Sequence, residues 1–415
     1  YVNLKPLADF SHSAYSPGRA VEGYEIDGED RLFVKFHDGT QTAADSYLLE
    51  KFGDDPDRPW LPDMIGRGVP YVIVTAGQRR GIHRQRPQVV VELIGSHYDR
   101  RRDSSAGGSG AQRWGDPATW RPSENPIVLL DNILRGIRDP LTGTHIWGGQ
   151  DIGNNAMPAS VWFAAMNECD RMVELAGGGE EPQYRAGCEV RADQEPAAVA
   201  EMLLMACQGL IANVAGQWHV RAGAPGPSVF SFTDDDLIVG TPDDFRPFPG
   251  LNDAYNSVAA SYPEPEDGWK SKPAPLRASA LFLAEDGDRT NTADLRFDAV
   301  PWRRQVQRLQ KSALRDGRRF RRHSFSRPPE AWPLTVLDEV SWTSHSNGYD
   351  SKDWSLSAVR DLENGCVGVG LQERDPSDYD WSTADELPDS VGGWKRPPKR
   401  QQTAAFGVEA AEVGN

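Results

Sequence analysis

The side chains best suited to metal or redox chemistry are thinly spread along this chain. The four cysteines are Cys169, Cys188, Cys207 and Cys366, and no two of them lie two to four residues apart. The eight histidines are equally scattered, and no His pair, His–Cys neighbour or HExxH sequence has the spacing of metal ligands. Because Cys169 and Cys207 fall within apolar helical patterns, we expect reduced, buried thiols and no structural zinc site.

Two acidic stretches resemble cation sites at first sight. Residues 284–294, AEDGDRTNTAD, carry alternate acidic residues as a calcium loop does, but the glycine comes too early and the twelfth position lacks a glutamate. Asp234, Asp235 and Asp236 directly precede an apolar run, which favours the end of a strand over an ion site. We therefore predict a solvated turn and a strand end, and assign no catalytic, cofactor-binding or metal-binding residue.

The strongest run of one charge is basic. Residues 315–322 read RDGRRFRR. Three interpretations are open: a site for an anion or nucleic acid, a solvated helix end followed by a strand edge, and arginines that pair with acidic residues across a subunit interface. We favour the solvated helix end.

The common catalytic signatures are absent from the sequence. It contains no GxSxG, no P-loop GxxxxGK[ST] and no GxGxxG after a strand. Glycoside hydrolysis needs only two carboxylates at a suitable spacing, and the chain has 61 acidic residues and 13 tryptophans. A carbohydrate-active enzyme or sugar-binding module is therefore the alternative function, but no carboxylate pair stands out and we expect a protein that is not an enzyme.

The composition of the 415-residue chain limits its fold and its partners. Its 40 glycines and 31 prolines favour turns and short strands over long helices. The net charge of −16 opposes nucleic-acid binding unless the basic side chains collect on one face. No window approaches 18 consecutive apolar residues, so no membrane-spanning segment is expected. Since the chain starts with Tyr1 and not Met, we expect a piece of a longer polypeptide.

Alternating and continuous apolar runs predict short strands in the first part of the chain. They are RLFVKF at 31–36, VPYVIVTA at 69–76 and VVVELIG at 89–95. The polar DSSAGGSG at 103–110 predicts an exposed, flexible loop.

Helical periodicity dominates the middle of the chain. Asn125 and Pro126 predict the start of a helix that stops before Pro140, and further helices are predicted from Pro158, from Pro196 and from Trp302 to about residue 314. The second helix carries an apolar stripe that predicts a core face: Trp162, Ala165, Met166, Cys169 and Val173. Strands are predicted in a hairpin at 210–214 and 218–222, and at 320–326, 333–342, 358–364 and 367–373.

Six segments occur in an order that resembles a known family. They are NPIVLLDNILRG at 125–136, SVWFAAMNECDRMV at 160–173, YRAGCEV at 184–190, a helix and hairpin at 196–223, LNDAYNSVAASYPEPEDGW at 251–269, and a helix-plus-strand block at 302–342. Together they resemble the central hub of siphophage tail tips. That family comprises the host-specificity, or tip attachment, protein of lambda-like phages and the large tail-tip proteins of gene transfer agents and roseophages.

The resemblance implies a structural role at the distal end of a phage tail, within the virion. It implies a homotrimeric ring around the tail axis that closes the tail tube. The implied partners are the distal tail protein, the tail tube, the tape measure and other tip proteins. A host surface receptor would be contacted only through downstream domains, and no cofactor is implied.

We therefore predict a multi-domain α+β chain of short antiparallel strands with packed short helices. The predicted divisions are a β-rich hub subdomain at 1–120, a helical segment at 121–180 and an α+β hub subdomain at 181–374. A Pro-rich linker is predicted at 375–402 and the start of a downstream, fibronectin-like domain at 403–415. Residues 1–120 match the family only loosely.

Overall fold

The computed structural model describes residues 17–21, 24–26, 28–77, 95–139, 142–149, 152–238, 240, 243–250, 254–363 and 365–388. By their internal contacts these residues form two compact units. The first holds the described residues up to 77 together with 266–268, and the second holds the remaining ones. The strand predicted at 89–95 falls, except for Gly95, outside the described residues, as does the predicted downstream domain.

The first unit is built on a small antiparallel sheet. Its elements are β1 Arg19–Ala20, β2 Glu25–Ile26, β3 Glu29–Asp30, β4 Leu32–His37, α1 Ser46–Phe52 and β5 Tyr71–Ala76. The sheet order is β1-β4-β5, which confirms the strands predicted near 31–36 and 69–76. Asp45 caps α1 by accepting a hydrogen bond from the Leu48 amide (3.0 Å). Its carboxylate also meets the buried Lys35 Nζ at 2.5 Å and the His37 Nε2 at 2.9 Å.

The second unit contains five further helices. They are α2 Pro126–Arg135, α3 Ala159–Asp170, α4 Pro196–Ala206, α5 Ala280–Glu285 and α6 Arg303–Asp316. The Asn125 side chain accepts hydrogen bonds from the amides of Ile127 and Val128, and Gly136 ends α2 at a φ of 90°. All four predicted helices therefore form, although α2 alone among them has a side-chain cap at its start.

The strands of the second unit are short, apart from those near its C-terminal end. They are β6 Ser96–His97, β7 Arg121–Pro122, β8 Ile137–Arg138, β9 His145–Trp147, β10 Met172–Glu174, β11 Glu180–Pro182, β12 Leu210–Val214, β13 Gln217–Arg221, β14 Phe230–Thr233, β15 Asp244–Arg246, β16 Ser257–Glu264, β17 Lys270–Pro273, β18 Arg277–Ala278, β19 Thr292–Arg296, β20 Arg322–Arg327, β21 Glu339–Ser344, β22 Tyr349–Asp361 and β23 Val367–Glu373. The predicted hairpin is β12 and β13.

Ten of these strands form two larger sheets, and the other eight form two-stranded pairs. A six-stranded sheet has the order β14-β21-β22-β23-β20-β15, in which β14 and β21 alone pair in parallel. In the other, β16 pairs with β17, β18 and β19. The fold is thus α+β, with short and mainly antiparallel strands and packed helices, as the sequence predicts.

The second unit has two apolar cores, one shared by the helices and the β16 sheet and the other on the six-stranded sheet. In the helical core the predicted stripe is buried: Trp162 and Met166 are fully enclosed, and Cys169, Ala165 and Val173 are buried too. A second core fills one face of the six-stranded sheet and is rich in aromatic rings. The stripe is therefore a packing face, as its spacing predicts, although α3 ends at Asp170 and Val173 lies in β10.

His323 lies within the aromatic core of the six-stranded sheet. Its ring stacks on Phe245 at 4.2 Å between centroids and makes edge contacts with Trp342, Tyr349 and Trp354. Its Nε2 is 3.1 Å from the Tyr349 hydroxyl, and the residue is only 3% exposed. A charged imidazolium would lose its hydration here.

We expect acid to destabilise the protein through His323. Burial, helped by the positive charge of Arg321, lowers its pKa to about 4, against about 6.5 in an unfolded chain. The unfolded state then binds more protons than the folded state between about pH 6.5 and pH 4, so the free energy of unfolding falls by roughly 3 kcal/mol over that interval. Urea unfolding at several pH values should show this slope in the wild type and in the control His345→Gln, whose histidine is exposed. An unchanged slope in His323→Gln would contradict the assignment.

Apart from residues 266–268, the described residues from 95 onward belong to the second compact unit. The reason is a pair of hydrogen bonds that fixes residues from 95 onward to α2. The Tyr98 amide donates to the Asn132 Oδ1 at 3.1 Å, and the Asn132 Nδ2 donates to the Tyr98 carbonyl at 2.7 Å. This segment therefore belongs to the helical core, and the finer five-part division of the chain stays a prediction.

The segment predicted as a flexible loop, 103–110, is exposed over most of its length but has fixed anchors. Asp103 is buried and accepts hydrogen bonds from the Tyr98 hydroxyl and the Ser105 amide, both at 2.7 Å. A Cβ on Gly108 would lie 2.3 Å from the Arg101 carbonyl oxygen. This glycine serves close packing of the backbone, a role that composition does not distinguish from flexibility.

Candidate functional site: the polar face of helix α6 and the acidic strap

Helix α6 packs with an unusual number of buried polar side chains. Gln305 is fully buried and donates hydrogen bonds to the carbonyls of Arg185 and Ala206 at 2.8 and 2.9 Å. Gln310, also fully buried, donates to the carbonyls of Val258 and Pro275, both at 3.1 Å. The helix thus connects separate parts of the unit by satisfying their backbone groups.

A segment that follows β23, residues 375–388, lies along the remaining face of α6. We call this segment the strap. It contains two short 3-10 turns, Pro376–Tyr379 and Thr383–Asp385. Its contacts run from the C-terminal end of α6 towards its N-terminal end, so strap and helix are antiparallel.

The first strap contact is a charged cluster just beyond the end of α6. Arg319 donates to Asp378 at 2.6 Å through Nε and to Asp375 at 2.8 Å through Nη2. Arg374, immediately before the strap, pairs with Asp316 in the last turn of α6. Asp378 is buried, and Arg319 is its ion-pair partner.

The central strap contact surrounds Lys311. Its Nζ donates to the Asp380 carbonyl at 2.8 Å and to the Asp385 carboxylate at 2.7 Å. Trp381 lies nearby, with the Lys311 ammonium 5.8 Å and the Arg277 guanidinium 5.5 Å from its ring centroid. These are the distances of cation–π contacts.

The last strap contacts lie beside the first two turns of α6. Gln307 and Leu387 exchange two hydrogen bonds: the Leu387 amide donates to Oε1 at 2.7 Å, and Nε2 donates to the Leu387 carbonyl at 3.1 Å. Glu386 pairs with Arg304 and accepts from the Ala176 amide at 3.0 Å. This reciprocal pairing fixes the register of the strap on the helix.

The charges between the strap and α6 favour attachment of the strap near neutral pH. Burial alone would raise the pKa of Asp385, but hydrogen bonds from Lys311 and Ser382 outweigh burial and keep the pKa below its usual value. The hydrogen bond to Asp378 raises the pKa of Arg319. A carboxylate with a lowered pKa loses its stabilising contribution as the pH falls through that pKa, so acid weakens the strap.

The structure clarifies the arginine run at 315–322. Arg318 pairs with Asp286 (3.0 Å), Arg319 pairs with the strap, and Arg315 donates to the Ser377 carbonyl at 3.3 Å. Most of the run therefore pairs with acidic and carbonyl groups of the same chain, and Arg321 and Arg322 are its exposed members. The prediction of a solvated helix end is wrong for Arg318 and Arg319. Both side chains form ion pairs with acidic residues that are distant in sequence.

We expect Arg319→Glu to release the first half of the strap. The substitution places a third carboxylate against Asp375 and Asp378 and removes their cation. Amide hydrogen exchange across 375–388 should then accelerate about tenfold or more, the equivalent of about 1.4 kcal/mol in the opening equilibrium. Arg322→Glu makes the same charge change at an exposed site in the same run and should leave the exchange unchanged. Equal exchange in the two variants would refute the ion-pair anchor.

The structure also locates the two acidic stretches. Asp234, Asp235 and Asp236 form a 3-10 turn directly after β14, as predicted for a strand end. In the stretch at 284–294, Asp286 binds Arg318 and Asn256, which differs from the solvated turn expected there.

Cys169, Cys188 and Cys207 carry free thiols. Cys169 and Cys207 are buried as expected, whereas Cys188 is exposed and Cys366 half-buried. Burial, together with the neighbouring Cys207 thiol, raises the pKa of Cys169. The two buried thiols are thus part of the helical core.

The described residues contain no group of three or more His, Cys, Asp or Glu side chains placed to hold a metal ion. None of their helices is long and apolar enough to cross a membrane.

Part of the chain matches a known family. Residues 195–359 match the family described as putative phage tail protein, which is less than half of the chain. The match begins at the N-cap of α4 and ends within β22, and it includes α6. No curated protein matches the chain significantly.

Three solved structures are similar to parts of this chain. A chain in the virion of a native gene transfer agent particle is 18% identical, with a TM-score of 0.51 over 86% of this chain and 74% of that chain. The 43 kDa tail protein of prophage MuSo2 from Shewanella oneidensis is 12% identical, with a TM-score of 0.32 over 48% of this chain and 57% of that one. Prophage tail protein gp18 from Listeria monocytogenes EGD-e is 12% identical, with a TM-score of 0.28 over 46% and 55%. The first of these likenesses establishes a shared α+β fold.

Proposed function

We propose that this chain is a structural subunit of a phage-type tail, located at the distal tip of the virion. The observation that carries the proposal is the match of residues 195–359 to a phage tail protein family. The shared fold with a chain of a gene transfer agent virion supports it. In this proposal the chain is the central hub that closes the tail tube and joins it to distal receptor-binding regions.

The proposed hub is a homotrimeric ring around the tail axis. Cyclic symmetry closes a ring with one repeated heterologous interface, and such closure can cover strand edges that would otherwise aggregate. The six-stranded sheet has two such edges, β14 and β15. The proposed neighbours are the distal tail protein, the tail tube, the tape measure and other tip proteins.

Imaging of intact tails tests this proposal directly. We expect three copies of the chain around the tube axis at the distal tip, with the segment after Asp375 leaving toward the distal end. Six copies, a single copy, or a position on a peripheral fibre would each contradict the hub assignment. Intact tails are the proper test object, because the isolated chain lacks its neighbours.

The proposed role includes no catalysis and no host-receptor contact by this chain itself. The competing function is a carbohydrate-active enzyme or sugar-binding module. Incubation of the purified chain with polysaccharide and peptidoglycan should give no turnover. Turnover that a single Asp or Glu substitution abolishes would overturn the structural role.

A further inference from the structure

A buried lysine and a buried aspartate meet in the first compact unit. The Lys35 Nζ lies 2.5 Å from the Asp45 Oδ2, and the two side chains are only 3% and 1% exposed. Asp45 is the only ion-pair or hydrogen-bond partner of this ammonium among the described residues. An ammonium has three N–H donors, and leaving buried donors without acceptors costs free energy. A secondary amide nitrogen has one N–H and no charge, so this site satisfies an amide better than an ammonium.

The small sheet and helix α1 hold the two groups together. Lys35 and His37 share one face of β4, and their partners in the register of β5 are Ile73 and Tyr71. Ile73 is buried, and the Tyr71 ring stacks on His37 at 4.5 Å between centroids. Asp45 approaches this face as the N-cap of α1, a helix that buries none of its own side chains. The contacts of the Asp45 carboxylate thus join the start of α1 to β4.

The groups around this carboxylate are placed for attack of the lysine nitrogen on its carbon. Since a carbon–oxygen bond is about 1.23 Å long, the Lys35 Nζ is at most about 3.7 Å from the Asp45 Cγ. The Oδ1 accepts a hydrogen bond from the Leu48 amide at 3.0 Å, which stabilises negative charge on that oxygen during the attack. The His37 Nε2 lies 2.9 Å from Oδ2, the oxygen that leaves.

We propose that Lys35 and Asp45 form an intramolecular isopeptide bond in the folded chain. A proton first passes from the ammonium to Oδ2 across the 2.5 Å contact, which gives a neutral amine and a carboxylic acid. The Nζ–Cγ bond then forms, a second proton moves from the nitrogen to Oδ2, and the Cγ–Oδ2 bond breaks. The products are an amide and one water molecule, and no oxidant, reductant or cofactor takes part.

The first proton transfer is the unfavourable step. Burial alone would raise the pKa of Asp45, but hydrogen bonds from Lys35, the Leu48 amide and His37 hold the pKa below its usual value, so the resting pair is ionised. The neutral pair contains the same number of protons as the ionised pair, so the transfer needs no acid from solvent. Permanent proximity of the two groups compensates for the small population of the neutral pair.

A covalent link has a structural purpose in this unit. Its cluster of buried apolar side chains consists, among the described residues, of Val21, Leu32 and Val34. Small units with few buried apolar side chains commonly depend on covalent links or metals for stability. A bond from β4 to the start of α1 supplies such a link. The inference is independent of the proposed tail role, because it requires neither a trimer nor a tail.

Mass spectrometry of the purified, denatured chain tests the proposal. We expect most of the chain to be lighter than its sequence by the mass of one water molecule. Trypsin should fail to cleave after Lys35 and should release residues 32–51 as one peptide that lacks the elements of water. Lys51 is the internal control, because its side chain lies 2.8 Å from Glu50 but is 50% exposed, and cleavage after it should be normal.

Two variants distinguish the isopeptide bond from other losses of water. Lys35→Arg keeps the positive charge but lacks the amine, so this variant should have its full sequence mass. Asp45→Asn should release ammonia in place of water, and it should therefore give the same crosslinked peptide as the wild type.

Two results would overturn the proposal. The first is a full sequence mass with normal cleavage after Lys35 in the wild type. The second is a loss of water that persists in Lys35→Arg, which would place the dehydration elsewhere, for example at the Asp38–Gly39 bond. Neither result would alter the copy number or position seen in intact tails.

Discussion

Trp162→Ala is expected to lower the free energy of unfolding by about 3–5 kcal/mol. The indole is completely buried in the helical core, and its Nε1 donates to the Trp218 carbonyl at 2.8 Å. Truncation opens a cavity and leaves that carbonyl without this donor. Denaturant unfolding of the wild type and the variant measures the difference.

Trp332 provides the matched control for this substitution. It is 62% exposed, so Trp332→Ala removes the same side chain with little loss of packing. We expect a change within about 0.5 kcal/mol. A loss below about 1 kcal/mol in Trp162→Ala would mean that the face is not a core.

Arg135→Leu is expected to cost about 3–5 kcal/mol, because it leaves a buried charge without its partner. Asp131 is fully buried and accepts from the Arg135 Nε at 2.8 Å and its Nη2 at 3.2 Å. The guanidinium also lies 5.2 Å from the Tyr98 ring centroid and 5.6 Å from that of Trp114. The variant therefore loses an ion pair and two cation–π contacts together.

The pH dependence of Arg135→Leu separates charge from packing. Burial raises the pKa of Asp131 even with Arg135 present, and loss of the arginine raises the pKa further. The deficit should be larger at neutral pH than at a pH low enough to protonate Asp131 in both states. A deficit that does not change with pH would assign the loss to packing alone.

Two further variants complete this experiment. The double variant Asp131→Leu and Arg135→Leu should recover part of the lost stability, since it removes both charges. Arg191→Leu breaks the Arg191–Asp193 pair, whose side chains are 66% and 65% exposed, and should cost less than about 1 kcal/mol.

The elements that the sequence predicts correctly are those specified by local chemistry. Asn125 and Pro126 mark the start of α2 because capping is a property of neighbouring residues, whereas the helix ends at Gly136, earlier than the stop predicted before Pro140. The β12–β13 hairpin likewise follows from its own turn, where Ala215 and Gly216 both adopt positive φ. These features need no knowledge of the rest of the chain.

The candidate site could not be predicted in the same way. Gln305 and Gln310 look like surface residues of an amphipathic helix, yet both are fully buried against carbonyls of distant segments. The strap has the composition of a linker, and its attachment depends on pairs such as Arg319–Asp378 that join residues far apart in sequence. Hydrophobic periodicity contains no information on which distant polar groups will meet.

The antiparallel course of the strap gives the attachment a mechanical direction. The 14 residues of α6 span roughly 21 Å. The strap contacts follow one another from Arg319, just beyond the end of the helix, through Lys311 to Gln307. A pull on residue 388 parallel to the helix axis shears all of them at once, so their resistances add. A pull away from the helix peels them singly, starting with Gln307 and Leu387. The attachment is therefore stiff under axial tension and weak under lateral force.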